Sequence, residues 1–249
     1  MLAGGTVAVS ALLLAVWVHK AGHALAYRDL GIGRAVVRYG APFGPRLVRQ
    51  PTAGRPWGVV VTPWLVTGHV QPAVTGEQAG TLGFSELSLY ASGGVVASLT
   101  TGCGLLAGWC FFTGAIYPAA AWGVACGAGW ALRRRVAVVL CVAGPVVLLG
   151  AELWALTGGL HEHGAHGLAG LLQVHGLTGG LFAAGVLSLS AGVFSMLPFP
   201  QFDGGHMLTV GLGLWRRERS QAVYDVARSA VLIAVIAVAV LADVVGVVG

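Results

Sequence analysis

Apolar residues come in long blocks along this chain. Residues 5–27, 87–112, 115–132, 136–156, 171–197 and 226–248 each approach the ~20 residues a helix needs to cross a bilayer. Residues 28–83 break that rhythm. They are too polar for a standard span, and they carry alternating or β-branched runs at 35–39 and 57–66 with Pro and Gly between. Such a segment predicts short strands and loops at the membrane surface. The pattern therefore predicts an all-α polytopic membrane protein with about six transmembrane helices and a small membrane-associated β element after the first. No polar gap is long enough for a PDZ module or another soluble domain. Residues 1–249 read as one integral membrane domain, with 28–83 as its strand- and loop-rich part.

Composition agrees with the blocks. The chain is 56% hydrophobic and 9% charged, against about a quarter charged in soluble domains. Its 40 glycines suit close helix packing in a membrane. The net charge of +5 comes from basic residues between apolar blocks, which fits orientation and lipid headgroups and gives no reason to invoke nucleic acid. Cys103, Cys110, Cys126 and Cys141 all lie in apolar blocks without a CxxC spacing, so they read as packing residues. The first block lacks a convincing cleavage site and reads as a retained span rather than a signal peptide.

Arginines fix an expected orientation. Arg28 to Arg55 follow the first block, Arg133, Arg134 and Arg135 separate the third and fourth, and Arg216 to Arg228 surround the start of the sixth. All fall on one side, the cytoplasmic side, if the N-terminus is outside. The expected setting is the cytoplasmic membrane of a prokaryote, with both termini outside. Trp122, Trp130, Trp154 and Trp215 near block ends fit an interfacial belt.

Chemistry concentrates in two places. His19 and His23 are four residues apart in the first block, so they share one helix face and can share a metal. Asp203 follows the fifth block on the same expected side. Two imidazoles and one carboxylate, with one position open, form a usual catalytic zinc set. Pro198 and Pro200 open the helix before Asp203. Gly204 and Gly205 after it allow a tight turn and close approach. His206 is a candidate support for the ligands, and His69 a candidate substrate contact or strand cap. A second cluster, His161, Glu162, His163, His166 and His175, lies on the opposite expected side. It is a candidate second metal site or a solvated loop. Glu152 and Asp243 are carboxylates within blocks, read as interfacial or paired with a neighbouring helix.

These motifs resemble the site-2 protease family of intramembrane zinc metalloproteases. His19 to His23 matches the family's HExxH motif with Lys20 in place of glutamate, and Ser195 to Gly205 matches its NxxPxPxxDGG run. Phe43-Gly44-Pro45 and the segment Pro63 to Val70 are similar to its FGP and PLGGYV-like segments, which build a membrane-associated β element. Ala143-Gly144-Pro145 is similar to its AGP helix opening, and Gly93-Gly94 suggests a second such opening. The resemblance implies Zn²⁺ held by His19, His23 and Asp203, with Ser195, Pro198, Pro200, Gly204 and Gly205 around substrate. It also implies a substrate or partner that is the transmembrane helix of a single-span protein, such as a membrane-tethered regulator.

Two departures bear on activity. Lys20 stands at the catalytic general-base position and Ser195 at the family's asparagine. Loss of a positioned base typically costs about 10²–10⁴-fold. A lysine cation about 5 Å from Zn²⁺ would be repelled by roughly 6–7 kcal/mol at an effective dielectric of 20. Hydrolysis is therefore expected to be impaired unless a neutral Lys20 amine serves as the base or Glu77 or Glu86 folds toward the site. The alternatives are an inactive pseudoprotease that binds a membrane partner, and a metal transporter using both histidine clusters.

Overall fold

The computed structural model describes residues 2–31, 35–40, 45–50, 52, 57–62, 68–72, 81–142, 176–199 and 202–213, with 226, 230 and 233 singly. Helix α1 spans Leu2–Leu30, three residues beyond the end expected from the apolar block. Arg28 lies in its last turn, where a cation complements the helix dipole. The helix stops at Gly31, whose φ of 65° is left-handed and whose N–H donates to the Arg28 carbonyl at 3.1 Å.

The polar segment then forms a small sheet, as the β-branched runs predict. Its strands are β1 (Ala35–Tyr39), β2 (Leu47–Arg49), β3 (Trp57–Val61) and β4 (Gly68–Pro72), in the order β2-β3-β1-β4. β1 pairs parallel to β3 and antiparallel to β4, with Val37 opposite Val59 and Val70. The strand expected over 57–66 ends at Val61. Phe43, Gly44 and residues 63–67 lie outside the described residues. Tyr39 docks the sheet on α1. Its ring stacks on Trp17 at 4.6 Å, and its hydroxyl donates to the Trp17 carbonyl at 3.3 Å. Burial pushes the Tyr39 phenol up, which keeps it a neutral donor.

Helix α2 (Phe84–Phe112) is the centre of the bundle. It packs against α1, α3 (Ile116–Ala131), α4 (Gly176–Ser195) and α5 (Asp203–Gly211). Its start corrects one expectation. Glu86 accepts a bond from the Gly83 N–H at 2.6 Å and so caps its own helix; it does not turn toward the histidines. A second correction concerns Gly93-Gly94. α2 is continuous through both residues, and they serve close packing instead of opening the helix. A Cβ on Gly22 of α1 would stand 2.3 Å from the Gly93 carbonyl oxygen, so the two backbones touch there.

Three helical stretches among the described residues are long and apolar enough to cross a membrane: Val9–Leu30, Phe84–Phe112 and Thr178–Ser195. α3, on the third expected block, has 16 residues and buries none of them. At 1.5 Å per residue it is about 24 Å long, short of the ~30 Å hydrocarbon core. One turn residue, Leu132, separates it from helical residues 133–142. The rest of block 136–156 and most of block 226–248 lie outside the described residues. Arg133 ties this region to the end of α1. Its Nε donates to the Asp29 carboxylate at 2.9 Å, and Nη2 also contacts it closely. The four cysteines are free and buried or half-buried. Cys141 packs with Ala91, Val95, Met196, Met207 and Val210 beneath the turn into α5.

Candidate metal centre

Helical periodicity puts His19 and His23 on the same face of α1, both buried at 7% and 8% exposure. Their rings stand 5.2 Å apart. Asp203 arrives from the far end of the chain at the first turn of α5. The start of α5 lies so close to the end of α4 that a Cβ on Gly204 would stand 1.8 Å from the Met196 carbonyl oxygen. Only glycine permits that approach, the role expected for this position. Asp203 Oδ2 lies 2.8 Å from His19 Nε2, and Oδ1 lies 3.2 Å from His23 Nε2. One ligand atom from each of the three residues lies within 4.8 Å of the others.

The other face of each imidazole is occupied. His19 Nδ1 is 3.0 Å from Ser98 Oγ, and His23 Nδ1 is 3.2 Å from the Tyr90 carbonyl oxygen. A carbonyl only accepts, so His23 Nδ1 carries the proton and neutral His23 presents a lone pair at Nε2. That lone pair faces a carboxylate. Oδ2 accepts no hydrogen bond among the described residues despite its short approach to His19. Acceptors converging on one point in a buried place repel unless a cation lies between them. Ligands about 2.0 Å from zinc at tetrahedral angles stand about 3.3 Å apart, close to the 2.8 and 3.2 Å seen here. Space fits as well. A Cβ on Gly94 would lie 2.5 Å from Nε2 of both histidines, so the missing side chain of Gly94 is the floor of the centre.

The remaining candidates are placed less centrally. Lys20 is half-buried on α1, near enough for its charge to act on both His19 and Asp203. Ser195 ends α4, and Pro198 is buried in the turn that follows. Gly205 is buried and donates its N–H to the Phe202 carbonyl. His206 is exposed on α5 and stands outside the three-residue group. His69 is on edge strand β4, in register with Arg38. Pro200, Glu77 and the cluster of His161, His163 and His166 lie outside the described residues.

Sequence reasoning missed Tyr90 and Ser98 and read Gly94 as part of a helix opening. The signal was available: they are spaced four apart, so they line one face of α2.

A membrane-helix bundle enclosing two histidines and an aspartate at one point has the layout of an integral membrane metallopeptidase. The chain belongs to peptidase family M50, the site-2 protease family, whose sequence profile matches residues 7–240. No curated protein and no solved structure matches it.

Proposed function

We propose that this protein is a site-2-type intramembrane zinc peptidase scaffold whose hydrolysis is impaired by Lys20. One observation carries the reading: His19 and His23 converge in a buried place with Asp203, 180 residues after His23 in sequence, with their ligand atoms within 4.8 Å. These three residues would hold Zn²⁺, which supplies Lewis-acid polarisation of the scissile carbonyl and acidifies water when bound. Ser98 and the Tyr90 carbonyl orient the two imidazoles, and the carbonyl holds His23 in the tautomer that leaves its Nε2 free. The substrate is the transmembrane helix of a single-span protein, entering from the cytoplasmic side. Unwound, it adds to the edge strand β4, whose outer backbone groups suit β-addition. The chain acts as one membrane domain of about six spans, with both termini outside a prokaryotic cytoplasmic membrane.

A second reading, a pseudoprotease that retains a membrane partner without cutting it, is favoured by the site's charge. The residue beside His19 is a cation, and Glu86 is committed to capping α2. Zinc per chain on the purified protein, beside His23→Ala and Asp203→Ala, tests the centre. One zinc, lost in both variants, supports it; no zinc in a folded protein overturns it. Cleavage of a single-span reporter by the Lys20→Glu variant, with none by the unaltered chain, supports impairment.

A further inference from the structure

On the face of α1 away from the histidines lies an apolar groove of ≈ 440 Å³. Val18 and Ala21 of α1, Leu105 of α2, and Cys126 and Trp130 of α3 line it. Leu25, Thr100 and Trp130 also line a second, much narrower cleft of ≈ 30 Å³, which reaches Arg28, Asp29 and Arg133. From Val18 to Asp29 the path follows eleven residues of α1, about 16 Å at 1.5 Å per residue. That is close to half of the ~30 Å hydrocarbon core, the depth of one leaflet.

The wide end is apolar and the narrow end is basic. Arg28 is 57% exposed at its side chain and Arg133 36%, and the exposed Arg134 donates to the Asp29 carbonyl at 3.4 Å. The carboxylate beside them is Asp29, which pairs with both Arg28 and Arg133. Positive charge is thus left over where the groove ends. Trp130 marks the boundary, with the Arg133 guanidinium 5.3 Å from its ring centre. An indole between an apolar run and a cationic cluster is the pattern of a membrane interface. No described residue fills the groove.

We infer that this groove binds one anionic phospholipid, its acyl chain along α1 between α2 and α3 and its phosphate headgroup against Arg28, Arg133 and Arg134. The length of the groove fits one chain in one leaflet, and the net charge at its mouth selects an anionic over a zwitterionic head. Lipid held there would brace α3, which has no buried residue of its own, against the helix that carries His19 and His23. The inference stands on the groove and the arginines, and does not depend on a metal or on peptidase activity.

The test uses the full chain, delipidated in mild detergent and offered equal amounts of phosphatidylglycerol and phosphatidylcholine with the same acyl chains. Native mass spectrometry reads the retained lipid. A basic side chain near a membrane surface contributes about 1 kcal/mol, roughly a five-fold preference. The unaltered chain should retain phosphatidylglycerol over phosphatidylcholine by at least that factor. Arg134→Gln should lower the preference by roughly five-fold, and Cys126→Phe, which fills the groove, should lower retention of both lipids. Equal retention by the unaltered chain overturns the inference. So does an unchanged preference in the arginine variant, whether or not Cys126→Phe folds. Inorganic phosphate that displaces the lipid preference at millimolar concentration would assign the arginines to a free anion and refute the lipid site.

Discussion

Replacing Gly94 with alanine adds one methyl group at the floor of the candidate metal centre. It would stand 2.5 Å from Nε2 of His19 and of His23, against a comfortable heavy-atom contact of about 3.5 Å. Each ring must retreat by about 1 Å, while a metal site tolerates displacements of about 0.2 Å. Changes in residues that merely support ligands cost about 10–100-fold in affinity, so a change that enters the ligand space should cost at least about 100-fold. Stability should respond differently. Alanine gains about 1 kcal/mol over glycine in a helix, and displacing the rings weakens two hydrogen bonds worth about 1 kcal/mol each. The net change stays within about 2 kcal/mol. Gly22→Ala is the contrast. Its Cβ would meet the Gly93 carbonyl oxygen at 2.3 Å and the Ala97 Cβ at 2.4 Å, and neither can swing aside, so the helices must separate and the protein should unfold well below the parent temperature. Zinc titration and thermal unfolding of the purified variants separate the two cases. A Gly94→Ala protein that is folded and binds zinc as tightly as the parent would refute the assigned centre.

Removing the lysine charge should act on binding and hydrolysis separately. Lys20→Met should tighten zinc without restoring cleavage, and Lys20→Glu should raise cleavage of a single-span reporter by about 10²–10⁴-fold; equal cleavage by both variants would contradict the role given to this position. Ser98→Ala removes the partner of His19 Nδ1, 3.0 Å away, and should weaken zinc binding by about 10–100-fold, read by competition with a chelating dye. Chelation of a protein held at 100 times its zinc dissociation constant should lower stability by about 2.7 kcal/mol, visible as a lower unfolding temperature that His23→Ala does not share. Tyr39→Phe loses the bond to the Trp17 carbonyl and should cost about 1 kcal/mol, with the sheet becoming more accessible to protease before the helices do.

Block length and local periodicity belong to the sequence alone. Helices over 84–112 and 176–195 follow from uninterrupted apolar runs, because a backbone in lipid must satisfy its own polar groups and a helix does so within one segment. The four-residue spacing of His19 and His23 sets their common face for the same local reason. The strand at Ala35–Tyr39 follows from β-branched residues between glycines. Lys20 at the base position is likewise a fact of the sequence. What brings Asp203 to the histidines is different in kind. It depends on how closely α5 folds back on the end of α4, set by Gly204 against the Met196 carbonyl, and on the depth at which α1 meets α2, set by Gly22 against Gly93. Close packing of that sort is decided between segments distant in the chain, where every neighbour constrains every other. The same holds for Glu86, whose residue type allowed two roles until the start of α2 took its carboxylate as a cap. It holds for Gly94 too. A glycine in a helix reads as a weak point or an opening until a partner helix places two imidazoles over it, and only then does the absent side chain become the space for a metal.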